Sequence, residues 1–190
     1  MYEVELKVRA EHDPVRERLA ALGASHIGRV TQVDTYYNAP DRDFAVTDEA
    51  LRVRRETDHG EARTTGDGDA GRVLLTYKGP LVDDNSKTRE EAETRVGNGK
   101  AVRDILAGLG YDAAAAVRKE RDRYALSDCR VTLDRVAELG EFVEVEYHDA
   151  VSESGIDGAR AAVRNRLDEL GLDPEAGIQT SYLGLVLAAE

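Results

Sequence analysis

At 190 residues the chain is long enough for one substantial core or at most two small domains, and one domain over residues 1–190 is the expectation. Its 38 acidic residues outnumber 26 basic ones for a net charge of −12, which excludes the broad basic surface of a nucleic-acid binder and obliges any polyanionic ligand to find a local basic cavity. A single cysteine, Cys129, excludes an intramolecular disulfide, and no apolar stretch approaches the roughly 20 residues of a membrane span.

The first ten residues are too charged for a signal peptide, so a soluble cytoplasmic protein with no membrane partner is expected. Five of the bases are lysine and 21 are arginine, an Arg-rich, acid-rich balance that resembles proteins of salt-loving microbes. Cys129 sits among apolar neighbours and reads as a small buried hydrophobe.

The chain opens on Tyr2-Glu-Val-Glu-Leu-Lys-Val8, whose period-two alternation predicts a strand over 2–9 with Glu3, Glu5 and Lys7 on one face and Val4, Leu6 and Val8 on the other. Asp13 as N-cap and Pro14 at the first helical position predict a helix with Val15, Leu19 and Leu22 on one side and Gly23 as its stop. A strand follows over 26–37. The next, over 49–57, turns Arg52 and Arg54 away from Leu51 and Val53. The acidic, Gly-rich run 64–71 is a turn; it lacks the terminal bidentate Glu of a calcium loop.

A strand over 71–79 places Lys78 with Thr76, and one over 87–96 aligns Arg89, Glu91, Glu93 and Arg95. A helix over about 99–109 sets Val102, Ile105, Leu106 and Leu109 at helical spacing before Gly110. The strand over 116–125 aligns Lys119, Arg121 and Arg123; that over 128–136 aligns Arg130, Thr132 and Asp134; that over 141–149 aligns Glu144 and Glu146. A helix over 156–170 carries Ile156, Ala159, Val163, Leu167 and Leu170 and ends at Gly171, and a short helix follows Thr180 or Ser181.

Eight strands therefore share one pattern, an apolar face opposite a face that is mostly charged. Two architectures satisfy it. In an open antiparallel sheet the charges form exposed salt-bridge ladders, each worth little. In a closed barrel with its apolar faces toward the helices, the charges line a tunnel that needs water, metal and anion to be tolerable. Paired carboxylates beside a lysine suit a hard cation that shares its shell with substrate phosphates. No GxxxxGK[ST] loop is present, so side chains would have to hold the phosphate. His12, His26, His59 and His148 show no metal-ligand spacing.

Glu3-Val-Glu-Leu-Lys7, Asp34-Thr-Tyr-Tyr37, Ala50-Leu-Arg-Val-Arg54, Thr76-Tyr-Lys-Gly-Pro80, Arg89-Glu-Glu91, Lys119-Glu-Arg121, Asp134 and Glu144-Val-Glu146 stand in an order that resembles the CYTH family. That family joins class IV adenylyl cyclases and thiamine triphosphatases, with inorganic triphosphatases among its relatives. The resemblance implies an α+β fold, an eight-stranded antiparallel β-barrel open along its axis as a triphosphate tunnel, with flanking helices. It implies that Arg52, Arg54, Lys78, Arg89, Lys119 and Arg121 clamp a triphosphate, and that Glu3, Glu5, Asp134, Glu144 and Glu146 hold one or two Mg²⁺ or Mn²⁺ ions. Lys7 and Glu91 would complete the lining.

Lys7, Lys78 and Tyr36 are the candidate catalytic residues; a hydroxyl of Tyr36 or Tyr37 beside a lysine such as Lys78 could place or deprotonate water, or both rings simply pack. Tyr182 would border the tunnel or pack in the core. The activity implied is conversion of ATP to cyclic AMP and pyrophosphate. The alternative is hydrolysis of inorganic triphosphate, thiamine triphosphate or a nucleoside triphosphate. A noncatalytic polyphosphate- or nucleotide-binding module is the reading from another class, and a homodimer is left open.

Overall fold

The alternating strands close on themselves. A computed structural model describes residues 2–59, 71–83 and 88–189, so the segment 64–70 and Lys87 of the sequence expectations lie outside the described residues. Its strands are β1 (Tyr2–Glu3), β2 (Glu5–Arg9), β3 (Ser25–Asn38), β4 (Ala50–Asp58), β5 (Arg72–Asp83), β6 (Thr88–Val96), β7 (Asp112–Leu126), β8 (Cys129–Val136) and β9 (Gly140–Tyr147). They form one sheet in the order β1-β6-β5-β4-β3-β7-β8-β9-β2. Every pairing is antiparallel.

β1 and β2 are one strand interrupted only at Val4, whose carbonyl accepts the Tyr147 N–H at 2.9 Å. The first half pairs with β6 and the second with β9, so this strand joins the two ends of the ribbon and the barrel has eight strands, as expected. The open-sheet alternative falls on burial. Lys7, Asp34, Arg54, Thr76, Lys119 and Asp134 are all buried, so the charged faces point inward.

The apolar faces point out and are covered by helices, as alternation requires. Val4, Leu6, Val8, Val131, Val143 and Val145 pack with Val15 and Leu19 of α1 (His12–Ala21) and with Val163 and Leu167 of α4 (Ile156–Glu169). Burying side chains of this size is worth roughly 1.5–3 kcal/mol each before entropy is counted, so this cluster fixes which strand face is internal. Cys129 lies in it, buried as expected.

Three local expectations need correction. α1 begins at His12, two residues before the Pro14 start that an Asp13 cap implies, and Glu11 at the cap makes no side-chain bond. A distant residue replaces the cap: Glu141 Oε2 accepts the His12 backbone N–H at 2.9 Å, while the His12 ring reaches the Phe142 carbonyl at 3.1 Å. On α3 (Gly99–Gly108), capped by Asn98, only Leu106 of the proposed stripe is fully buried, against Tyr37 and Val53; Ile105 and Leu109 stay 59% and 63% exposed. The helix touches the barrel by a narrow edge, so a period of 3.6 overstated its buried face. α2 (Phe44–Thr47) was not expected, since four residues carry no readable period; Asp43 caps it by accepting from Ala45 N.

A last helix, α5 (Tyr182–Leu187), starts after Ser181, whose hydroxyl accepts the Gly184 N–H. The segment before it runs into the barrel beside β2, where Ile178 N donates to the Lys7 carbonyl at 2.6 Å. Among the described residues no helix is long and apolar enough to cross a membrane.

Candidate functional site

The inward faces enclose a cavity of about 760 Å³, inside the range of sites that take drug-sized ligands rather than single ions. Of the candidate clamp, metal and catalytic residues, all but Lys7 and Asp134 line it. Neighbouring strands give it two walls of opposite sign. Glu3, Glu5, Glu144 and Glu146 come from the β1, β2 and β9 side, with Glu5 directly across from Glu146. Arg52 and Arg54 on β4, Lys78 on β5, Arg89 on β6, and Lys119 and Arg121 on β7 supply the other.

On the basic wall each cation has a carboxylate waiting. Arg54 grips Asp34 through Nε–Oδ1 at 2.6 Å and Nη2–Oδ2 at 2.7 Å, the fork geometry that suits guanidinium to carboxylate. Burial alone would favour a neutral Asp34, but the Arg54 charge and hydrogen bond, with help from Arg52 and Lys119, hold its carboxyl well below the usual range. Arg52 stands 3.9 Å from Glu91 and from Glu93. Lys78 pairs with Glu91. Arg89, nearer the α2 end, donates to the Gly79 carbonyl at 3.1 Å.

The acidic wall brings several carboxylates close to one another. Burial, then the hydrogen bond and charge of Glu91, push the Glu3 carboxyl up to about 8. Burial resists ionisation of Glu91 as well, yet Lys78 and Glu3 hold it ionised below the usual value, so the two acids share a proton that resides on Glu3. Glu146 is also raised, by burial and by the charge of Glu5. A divalent cation would replace that proton and relieve the repulsion, so the donor set fits a hard, oxygen-seeking ion. Among the described residues no three His, Cys, Asp or Glu side chains are gathered tightly enough to cage a metal unaided, which leaves positions in any shell for water and phosphate.

Lys7 and Asp134 are drawn away from the cavity by the C-terminal segment. Lys7 is fully buried; its Nζ donates to the Thr180 carbonyl at 2.5 Å and lies 4.1 Å from the centre of the Tyr182 ring. Asp134 is fully buried and accepts from Arg121 at 2.6 and 2.5 Å and from the Tyr182 hydroxyl at 2.9 Å. Both positions therefore support the wall from behind. Tyr182 does more than pack: besides Lys7, the Lys119 Nζ lies 4.8 Å from the centre of its ring, so two cation–π contacts share one tyrosine. Burial and the nearby Arg121 charge pull the Lys119 ammonium down to about 8.

Tyr36 is inside the barrel but its neighbour is Arg52, its cross-strand partner, while Lys78 is held by Glu91; the tyrosine–lysine pair of the sequence reading does not form. Tyr37 packs with Val53 and Leu106 and also borders the cavity. His148 is exposed. Residues not assigned from sequence also line the cavity: Gln32, Glu56, Arg72, Arg123 and Arg130. Alternation put Arg123 and Arg130 on polar faces, but no motif marked them, and Arg72 and Glu56 flank the uninformative run after β4. Asp34 stood in the Asp34-Thr-Tyr-Tyr37 motif without an assigned role and shares a face with Gln32 and Tyr36.

Comparison with known proteins fits this geometry. A family model described as CYTH domain matches residues 1–182. A protein of Methanocaldococcus jannaschii named "putative adenylate cyclase" is 40% identical over 147 residues, 77% of each chain. A solved protein of Pyrococcus horikoshii OT3 is 34% identical and superposes with a TM-score of 0.87 over 99% of both chains. A Hippeastrum protein described as a "putative adenylyl cyclase" that reveals a dominant triphosphatase activity shares the fold, at 16% identity and a TM-score of 0.68 over 99% of this chain and 96% of its own.

Proposed function

Because the chain belongs to the CYTH family, we propose that it is a divalent-metal-dependent enzyme acting on a triphosphate held in the barrel, most like a class IV adenylyl cyclase that converts ATP to cyclic AMP and pyrophosphate. The observation that carries this reading is the single cavity walled by acids on one side and by bases on the other. A pure anion-binding module has no use for the acidic wall.

When bound by Glu3, Glu5, Glu144 and Glu146, Mg²⁺ or Mn²⁺ would supply Lewis acidity toward the phosphate and the attacking oxygen. Arg52, Lys78, Arg89, Lys119 and Arg121 orient the triphosphate and stabilise the charge that grows on the departing pyrophosphate, a preorganised contribution that needs no rearrangement during reaction. Arg54 reaches phosphate only by loosening its grip on Asp34. A 3′-hydroxyl held near the α-phosphorus competes well with water as nucleophile because it is already positioned. Phe44, Leu183 and Leu187 line the α5 end of the same cavity and offer apolar surface to the organic part of such a substrate.

Hydrolysis of inorganic, thiamine or nucleoside triphosphate is the second reading. It is favoured by Lys119, whose pKa of about 8 lets it exchange a proton with water near neutral pH. A ³¹P NMR time course with Mg²⁺ and either ATP or inorganic triphosphate separates the readings. Pyrophosphate with a cyclic phosphodiester signal is the expected result; orthophosphate release makes the protein a triphosphatase; unchanged spectra with saturable binding leave only the noncatalytic module.

The shared proton makes a further prediction. A cation entering the acidic wall must displace the proton on Glu3, so Mn²⁺ affinity measured by EPR titration rises by up to about tenfold per pH unit on approaching pH 8 and levels off above it. Glu3→Gln flattens that rise. An unchanged slope in the variant would place the titrating group elsewhere.

A further inference from the structure

Among the described residues three that are not glycine have a positive φ: Asp48 (54°), Ser127 (54°) and Glu138 (67°). Ser127 and Glu138 sit in the short β7–β8 and β8–β9 connections, where a tight hairpin asks for that conformation. Asp48 instead ends α2, and it alone of the three lines the cavity. Glycine would end a helix this way at less cost, so the contacts of the aspartate must account for it. They lead to Arg89 on β6, two strands away in the sheet. Arg89 Nη1 donates to the Asp48 carbonyl at 3.3 Å, and Nη2 donates to the two carboxylate oxygens at 3.4 and 3.5 Å. A further acceptor comes from β5, whose ladder with β6 slips register between Lys78 and Leu81; there the Gly79 carbonyl takes Nη1 at 3.1 Å. The segment that presents Asp48 is itself pinned, because the next residue, Glu49, accepts from Arg42 at 2.9 and 3.0 Å and also from Thr47 and from Tyr77 of β5.

We propose that Asp48 is a positioning residue for Arg89: it holds the Nη end of the guanidinium and leaves the Nε edge for phosphate. The proposal rests on the triphosphate reading of the cavity, which Arg89 lines. A guanidinium can serve two oxyanions at once because its five N–H groups form a rigid fork with separate edges. Held at one end by a carboxylate and two carbonyls, Arg89 gives up little further freedom when its other edge takes phosphate; released from them, it must be ordered at the moment of binding. The Asp48 side chain is 53% exposed and that of Arg89 14%. An ion pair so open to water adds little to stability, and the same water weakens the repulsion between Asp48 and phosphate. What the contact supplies is the direction of the arginine.

The test is a double-mutant cycle read by calorimetry with inorganic triphosphate and with ATP in EDTA, so that binding is read without turnover. Asp48→Asn removes the charge and suits the left-handed backbone at least as well, so the fold and the melting midpoint are kept; Asp48→Gly fits the same backbone and removes the whole side chain. Each variant is expected to bind both ligands about fivefold more weakly than the wild type, and in an Arg89→Gln background the same changes become silent. A side chain that only shapes the loop would weaken binding equally with and without Arg89, and that outcome overturns the positioning role while leaving the clamp standing. Unchanged affinity overturns it as well, and tighter binding would make Asp48 a competitor for Arg89 instead. A loss confined to ATP overturns it too, because Arg89 reads phosphate in both ligands. Absence of saturable binding of either ligand by the wild type overturns the clamp and the positioning role together.

Discussion

Glu5→Gln lowers metal-dependent turnover about a hundredfold or more while the affinity for triphosphate in EDTA stays within about twofold. The amide keeps the volume of the side chain and removes its charge, which is what a hard cation requires. Metal stabilisation of a phosphoryl transition state is worth several kcal/mol, and a hundredfold loss is about 2.7 kcal/mol, so losing one of four wall carboxylates suffices. Glu144 is already bonded to Arg121, and Glu3 to Glu91, so changing either one also disturbs the basic wall. The charge of Glu5 helps raise Glu146, so the variant lowers the Glu146 pKa and partly compensates in binding but not in catalysis. Steady-state rates across a Mn²⁺ titration, with circular dichroism as the folding control, decide the matter. Turnover within threefold of wild type would remove the acidic wall from the metal site.

What was legible in the sequence was whatever depends on local period. Each of the eight strands repeats every two residues, so Arg52 beside Arg54 or Glu144 beside Glu146 could be placed on one face without knowing where that face points. Enclosure was not legible, because an exposed ladder and a tunnel wall have the same alternation. The decisive contact is the change of partner at Val4, where β1 leaves β6 and β2 takes up β9, and nothing in Glu3-Val-Glu5 announces it. Lys7 and Asp134 were placed on the right face, but their partners were not legible. Their surroundings are set by Thr180 and Tyr182, 173 and 48 positions away, and pairings at that separation leave no periodic trace. Ile105 and Leu109 show the converse, an apolar stripe that period marked as core and packing left outside.

Asp34 provides the largest expected effect on stability. Its carboxylate is 1% exposed and holds Arg54, itself 6% exposed, through two hydrogen bonds. Asp34→Asn leaves that guanidinium buried and uncompensated, and breaking a buried pair from one side costs about 3–5 kcal/mol. For a chain of this size the melting midpoint should fall by roughly 6–20 °C. The pH dependence has a definite sign. The folded pKa lies well below the usual value and the unfolded one near about 3.9, so Asp34 contributes its full stability above that value. The contribution fades as pH falls toward the folded pKa, and the gap between wild type and variant is therefore constant across neutral pH and closes in acid. Removing the partner as well tests the cause. Asp34→Asn/Arg54→Met should be more stable than Asp34→Asn alone, since it deletes the stranded charge. Triphosphate should raise the midpoint of Asp34→Asn more than that of the wild type, because Arg54 no longer has to exchange a carboxylate for a phosphate before it binds. Equal ligand-induced shifts in the two proteins would mean that Arg54 never leaves the wall, and that Asp34 and Arg54 act only as a strut between β3 and β4.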